Sequence, residues 1–197
     1  MNFLKLAVLA LGFLFIQEAH ALVSPLGISL IPPVELPPAD FTITGARINL
    51  IWGDQHNVYG LDVGTILNST LQNSGGLQLA GGVNWNKGST TILGLQVAGL
   101  ANINVQHTFV LGLQVALYNA NLGESKIIGI EAGAINNSAH TKLYGVQVGL
   151  YNKALEVYGF QIGLINSVAD LHGLQIGLLN FNDHGLFAIA PILNFGF

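Results

Sequence analysis

Within the stretch Leu143 to Asn152 the chain alternates strictly, from Tyr144 to Leu150, between large apolar residues and small or polar ones. Gly145, Gln147 and Gly149 fall on one side of an extended backbone, and Tyr144, Val146, Val148 and Leu150 on the other. The next stretch sets Gly159, Gln161 and Gly163 against Tyr158, Phe160, Ile162 and Leu164. A third sets Gly173, Gln175 and Gly177 against Leu174, Ile176 and Leu178. The period is two, which predicts β-strands. Glycine at this density weakens a helix by roughly 1 kcal/mol per residue.

The alternation belongs to an internal repeat, the signal that decides the architecture. Its opening glycines are Gly45, Gly60, Gly76, Gly94, Gly112, Gly129, Gly145, Gly159, Gly173 and Gly185. They are spaced 12 to 18 residues apart and define ten units. Each unit reads as about ten strand residues and a short polar turn such as Asn152–Glu156 or Asn166–Asp170. The slot between the glycines holds Arg47, Asp62, Gln78, Gln96, Gln114, Glu131, Gln147, Gln161 and Gln175 in successive units. These nine are expected to form an interior polar network, packed closely because the flanking glycines take little room. Val146, Val148, Leu150, Phe160, Ile162, Leu164, Leu174, Ile176 and Leu178 are expected to face lipid or other subunits. Leaving several dozen such side chains in water would forfeit about 1.5–3 kcal/mol each.

Two all-β architectures accommodate this pattern. The expected one is an antiparallel transmembrane β-barrel of about ten strands, since ten tilted residues cross a bilayer and closure satisfies the backbone in lipid. The alternative is a β-solenoid with one coil per repeat and a stacked Gln ladder. Short turns favour hairpins. The alternating C-terminus, Leu193-Asn-Phe-Gly-Phe197, looks like a signal for outer-membrane insertion machinery carried by Phe195 and Phe197. Trp52, Tyr59, Trp85, Tyr118, Tyr144, Tyr151 and Tyr158 fall near strand ends, as aromatic girdles at two membrane boundaries would.

Composition narrows the setting. Only 8% of residues are charged, against about 25% in soluble domains. Yet no apolar run after residue 21 is long enough for a membrane helix. Residues 1–21 read as a signal peptide, with Lys5, an apolar Leu6–Phe15 stretch and an Ala19-His-Ala21 cleavage site. Residues 22–40 hold five of the six prolines and read as an N-terminal arm that crosses a barrel mouth, plugs it or reaches a neighbour; residues 41–197 form the repeat domain. The absence of cysteine excludes disulfides and thiolate metal sites. A net charge of −4 without basic clusters argues against nucleic acid.

The GLQ[VI]GLxN units, with Leu36–Gly53 and Val58-Tyr-Gly-Leu-Asp-Val-Gly64, resemble the bacterial surface-repeat outer-membrane proteins of the PopA type over roughly residues 24–197. The resemblance implies an outer-membrane β-protein that assembles with identical subunits into a ring around trapped lipid, without catalysis or a conventional pore; no cofactor is expected.

No competing chemistry emerges from the residues. Arg47 and Asp62 occupy the same slot of adjacent units and are expected to pair inside, with Glu131 either joining them or hydrogen-bonded to Gln114 and Gln147. His56, His107, His140, His172 and His184 lie in or beside turns without metal-ligand spacing. Asp54 with His56, and Asp183 with His184, lack a partnered nucleophile. The expected class is a structural outer-membrane protein, with a monomeric channel or transporter as the alternative.

Overall fold

A computed structural model describes residues 22–197; the expected signal peptide 1–21, including His20, lies outside the described residues. The fifteen strands are β1 (Val23–Ile31), β2 (Val34–Leu36), β3 (Thr42–Asn49), β4 (Trp52–Gly64), β5 (Leu67–Ala80), β6 (Val83–Asn86), β7 (Ser89–Ala98), β8 (Ala101–Asn104), β9 (Thr108–Val115), β10 (Tyr118–Asn121), β11 (Ser125–Ala132), β12 (Ile135–Val148), β13 (Tyr151–Ile162), β14 (Ile165–Asn182) and β15 (Ile189–Gly196).

The strands from β3 to β14 pair in parallel, each repeat lying on the next in register. Gly145 sits on Gly159 and Gly159 on Gly173; Gln147 sits on Gln161 and Gln161 on Gln175. This is a β-solenoid, one coil per repeat, and not the antiparallel barrel expected above. The physical reason is that each repeat turns twice. Its Gly-Leu pair makes one corner and its polar residues make the other, so a repeat returns to its own starting edge. Like residues then stack on like residues across a parallel ladder, a pairing that hairpins cannot produce.

One 14-residue coil shows the plan. A long arm runs from Glu156 to Ile162, Gly163-Leu164 turns the corner, a short arm runs from Ile165 to Val168, and Ala169 turns back. A single ten-residue strand per repeat therefore becomes one long and one short arm. Val157, Gln161, Asn166 and Val168 point inward and are buried; Tyr158, Phe160, Ile162, Leu164 and Ile165 point out and are exposed.

Glycine is required in the middle of each long arm. Gly145 has φ of +140°, and a Cβ there would collide with the carbonyl of Gly129 in the adjacent coil. Coils pack backbone to backbone at this column. The tenth repeat glycine, Gly185, lies in a turn, and parallel stacking ends at β14.

Both ends of the stack are capped differently from its middle. The proline-rich segment neither crosses a mouth nor plugs a lumen: β1 lies parallel on β3, and β2 folds back antiparallel on β1. At the other end β15 returns antiparallel along β14, with a register shift beside Ile192, whose φ is +68°.

Candidate functional site

The solenoid interior is polar on the side of the Gly-Leu corner and apolar on the other, where Ile92, Val110, Ile127, Leu143, Val157 and Leu171 are buried together. All nine residues of the inter-glycine slot are buried, from Arg47 through Gln175. Gln96 Nε2 donates to Gln78 Oε1 at 2.9 Å, and Gln114 Nε2 to Gln96 Oε1 at 3.0 Å. Past Glu131 the chain of amides resumes: Gln161 Nε2 donates to Gln147 Oε1 and Gln175 Nε2 to Gln161 Oε1, each at 2.7 Å. Every donor in this ladder points toward the N-terminal end.

A second ladder faces the first from the short arms. Asn49, Asn68, Asn84, Asn102, Asn119, Asn136, Asn152 and Asn166 each donate Nδ2 to the Oδ1 of the next member, ending at Asn180. These donors point toward the C-terminal end. The orientation is set by main chain: Asn136, Asn152 and Asn166 also donate to the carbonyls of Val148, Ile162 and Ile176. The corner glycines leave room for this ladder, since a Cβ on Gly163 would lie 2.6 Å from Asn152 Nδ2. Two acceptors without a donor mark the ladder ends, Asn49 Oδ1 at the start of one and Gln175 Oε1 at the end of the other.

The Asn column was missed in the sequence, where these residues read as turn formers. Their signal is a phase that holds constant over the later units: Asn119, Asn136, Asn152, Asn166 and Asn180 each follow the slot residue by five residues. Turn residues need no such constancy. A further inner column in the middle coils, Asn86, Asn104 and Asn121, binds the glutamines from the side.

Three charged side chains interrupt the amides. Arg47 donates through Nε and Nη2 to both oxygens of Asp62, at 2.9 and 2.6 Å, and through Nη1 to the Ser69 carbonyl at 3.0 Å. This forked pair is fully buried. Glu131 has no countercation among its partners. It accepts from Gln147 Nε2 at 2.6 Å, Ser138 Oγ at 2.7 Å and Asn121 Nδ2 at 3.1 Å. Gln147 is one of its two expected partners; Gln114 is not, because a carboxylate offers no donor and Asn121 serves Gln114 Oε1 instead. Full burial pushes the Glu131 carboxyl up to about 7, the loss of hydration outweighing the three donors.

On the outside, columns of side chains run along the solenoid axis. The Gly-Leu corner carries Leu50, Ile66, Leu100, Leu117, Leu150, Leu164 and Leu178, all exposed. On the long arm beside it stand Ile48, Val63, Leu79, Val97, Val115, Val148, Ile162 and Ile176. On the short arm beside it stand Trp52, Leu67, Val83, Tyr118, Ile135, Tyr151 and Ile165. Val146, Phe160 and Leu174 form one further column along the long arm. The expected outward-facing residues thus share one connected surface, with Val146 and Leu174 half-buried and Val148, Leu150, Phe160, Ile162, Leu164, Ile176 and Leu178 exposed.

The aromatics do not form two girdles. Tyr144 and Tyr158 stack face to face at 4.7 Å between ring centres, and His172 continues that column at 4.4 Å. Trp52, Tyr118 and Tyr151 lie in the column beside the corner, Tyr59 is exposed on the long arm, and Trp85 lies under Lys87, whose Nζ is 4.8 Å from the ring centre. Coil stacking lines aromatics up along the axis, whereas girdles require them at both ends of barrel strands. Phe195 and Phe197 pack edge to face at the exposed end of β15.

Most of the remaining charge lies at or beside the opposite corner. Lys142 pairs with Glu156 at 2.7 Å, which raises the lysine above its usual range. His184 meets Asp170 at 2.9 Å rather than its neighbour Asp183, and Asp54 faces Lys87 at 3.8 Å rather than His56. Among the described residues no three His, Asp or Glu side chains gather as metal ligands.

No family model, curated protein or solved structure matches this chain.

Proposed function

We propose that this is a non-catalytic structural protein of the bacterial outer membrane, which assembles into homo-oligomeric rings that hold lipid and reorganise the membrane around them. The observation that carries this reading is the inverted polarity of the solenoid on its Gly-Leu side. Behind that corner the interior is filled by hydrogen-bonded amides, while the exterior there carries connected apolar columns, an arrangement favoured where apolar surface meets no water. Glutamine and asparagine find partners inside that an apolar medium cannot supply.

The terminal strands are the surfaces through which copies meet. One end of the stack exposes Leu26, Ile28, Val34 and Leu36; the other exposes Ile189, Ile192, Leu193 and Phe195. Two different ends in contact make a head-to-tail interface, which closes into a ring when the rotation per subunit divides the circle. Pro25 and Pro191 interrupt the donors of these edges, so side chains rather than a continued ladder form the contact. The resemblance of the GLQ[VI]GLxN repeats to ring-forming surface-repeat proteins supports the same reading. A monomeric channel is less well supported, because side chains of both arms fill the interior along the stack.

Native mass spectrometry on gently extracted protein tests the proposal. The expected result is one defined oligomer carrying excess lipid mass. Leu193→Lys should lower the oligomer to monomers while the protein stays in the membrane fraction. A wild-type monomer free of lipid refutes the proposal.

A further inference from the structure

Charged side chains are kept away from the Gly-Leu corner of the coils, where exposed apolar side chains are densest. Among the described residues, no Asp, Glu, Lys or Arg lies in the Gly-Leu corner or in the column on either side of it. Lys87, Glu124, Lys126, Lys142, Glu156 and Asp170 all lie at or beside the other corner, and Asp54 and Lys153 stand on the short arm two residues beyond Trp52 and Tyr151. This segregation is independent of the repeat motif's polar slot, which faces inward.

We infer, building on the membrane reading above, that the solenoid sits edge-on in a single lipid leaflet. Its Gly-Leu corner points to the bilayer midplane, its axis lies in the membrane plane and its charged corner stays in water.

Length supports this seating. From the Val146 column to the Leu150 corner is four residues, or ~13 Å of extended chain. One leaflet contributes about 15 Å of hydrocarbon. From Lys142 to Leu150 is only ~26 Å by the same rise, so a coil crossing about 30 Å of hydrocarbon would submerge its charged end. The Tyr144–Tyr158–His172 stack falls between the apolar and charged parts, where amphipathic rings meet the headgroups.

Shape identifies the occupant as lipid rather than a second copy. The apolar surface is a ridge, exposed on the corner and on two faces that point in opposite directions. A flat partner covers one of those faces. Acyl chains wrap all three.

The test is depth-dependent quenching on the full chain. In a Trp52→Phe, Trp85→Phe background, single tryptophans are placed at Leu150, at Val146 or at Leu155 on the charged corner. The proteins are reconstituted in phosphatidylcholine vesicles brominated at shallow or deep acyl positions. Leu150→Trp should be quenched at least twofold more by deep than by shallow bromines, and Val146→Trp the reverse. Leu155→Trp should respond to aqueous iodide and not to bromine. Leu164→Trp repeats the corner measurement one coil away, so a local packing fault at one site does not decide the result. Equal bromine quenching at both corners, or quenching at neither while the protein stays vesicle-bound, overturns the edge-on seating and leaves the membrane reading standing. Failure to associate with vesicles overturns both.

Discussion

Glu131→Gln should stabilise this protein, and the gain should depend on pH. Glu131 is the one carboxyl in the Gln ladder without a cation beside it, held by Gln147, Ser138 and Asn121. Its carboxyl lies at about 7 in the folded chain, against an ordinary value of 4.5. Between those values the folded protein keeps a proton that the unfolded chain has lost. Stability therefore falls as pH rises through this window and stays level above it. At about 1.4 kcal/mol per pH unit, the penalty reaches roughly 3 kcal/mol by pH 8. Glutamine removes it. Its Nε2 would also donate to Gln114 Oε1, joining the two halves of the ladder, as Gln96 does to Gln78. Urea unfolding in detergent, followed by far-UV circular dichroism at pH 5 and pH 8, measures the effect. The variant should exceed wild type by about 3 kcal/mol at pH 8 and by little at pH 5, where Glu131 is protonated. An equal offset at both pH values, or a less stable variant at pH 8, would refute the reasoning.

Other substitutions probe the stack itself. Gly145→Ala places a Cβ against the Gly129 carbonyl at a φ of +140°; a loss of more than about 2 kcal/mol in the same unfolding assay is expected, and an unchanged midpoint would mean the coils are not in backbone contact there. Gln147→Glu with Gln161→Glu would put three successive carboxyls in one buried column with Glu131. It should abolish heat-modifiable, oligomeric protein at pH 8 and partly restore it at pH 5, since each protonation relieves the repulsion; normal oligomer yield at pH 8 would contradict a packed interior.

Much of the cross-section was legible in the sequence, and the topology was not. Strict alternation around Gln147, Gln161 and Gln175 assigns the inward and outward residues of the long arm, because the period of an extended chain is a local property. Whether the strand after Leu150 runs on to a hairpin or folds back under its own repeat depends on how the corner is made. Gly149-Leu150 and Gly163-Leu164 do not announce a corner on their own, since turn chemistry there is carried by one glycine. Asn152 and Asn166 read as surface turn residues for the same reason, although they are wholly buried. Arg47 and Asp62 could be paired from their common slot, which remains a shared column in a solenoid as it would in a barrel. The exclusion of charge from the Gly-Leu corner became visible only once the coils were stacked, because it is a property of columns and not of any single repeat.

The two amide ladders run their donors in opposite senses, and this bears on how long such a molecule can grow. A single file of aligned amides would add its dipoles with every turn and build a field along the axis, felt strongly in a medium of low dielectric. Two opposed files largely cancel, so an added turn contributes hydrogen bonds without enlarging the field at the ends. The regular C-terminal turns, 14 residues apart from Gln147 to Gln161 and on to Gln175, are thus interchangeable units whose number is set by the caps and not by electrostatics. Chain length becomes an independent variable: duplicating or deleting one such turn would change the span of each subunit along the membrane by about 4.8 Å while leaving its fit to the leaflet unaltered.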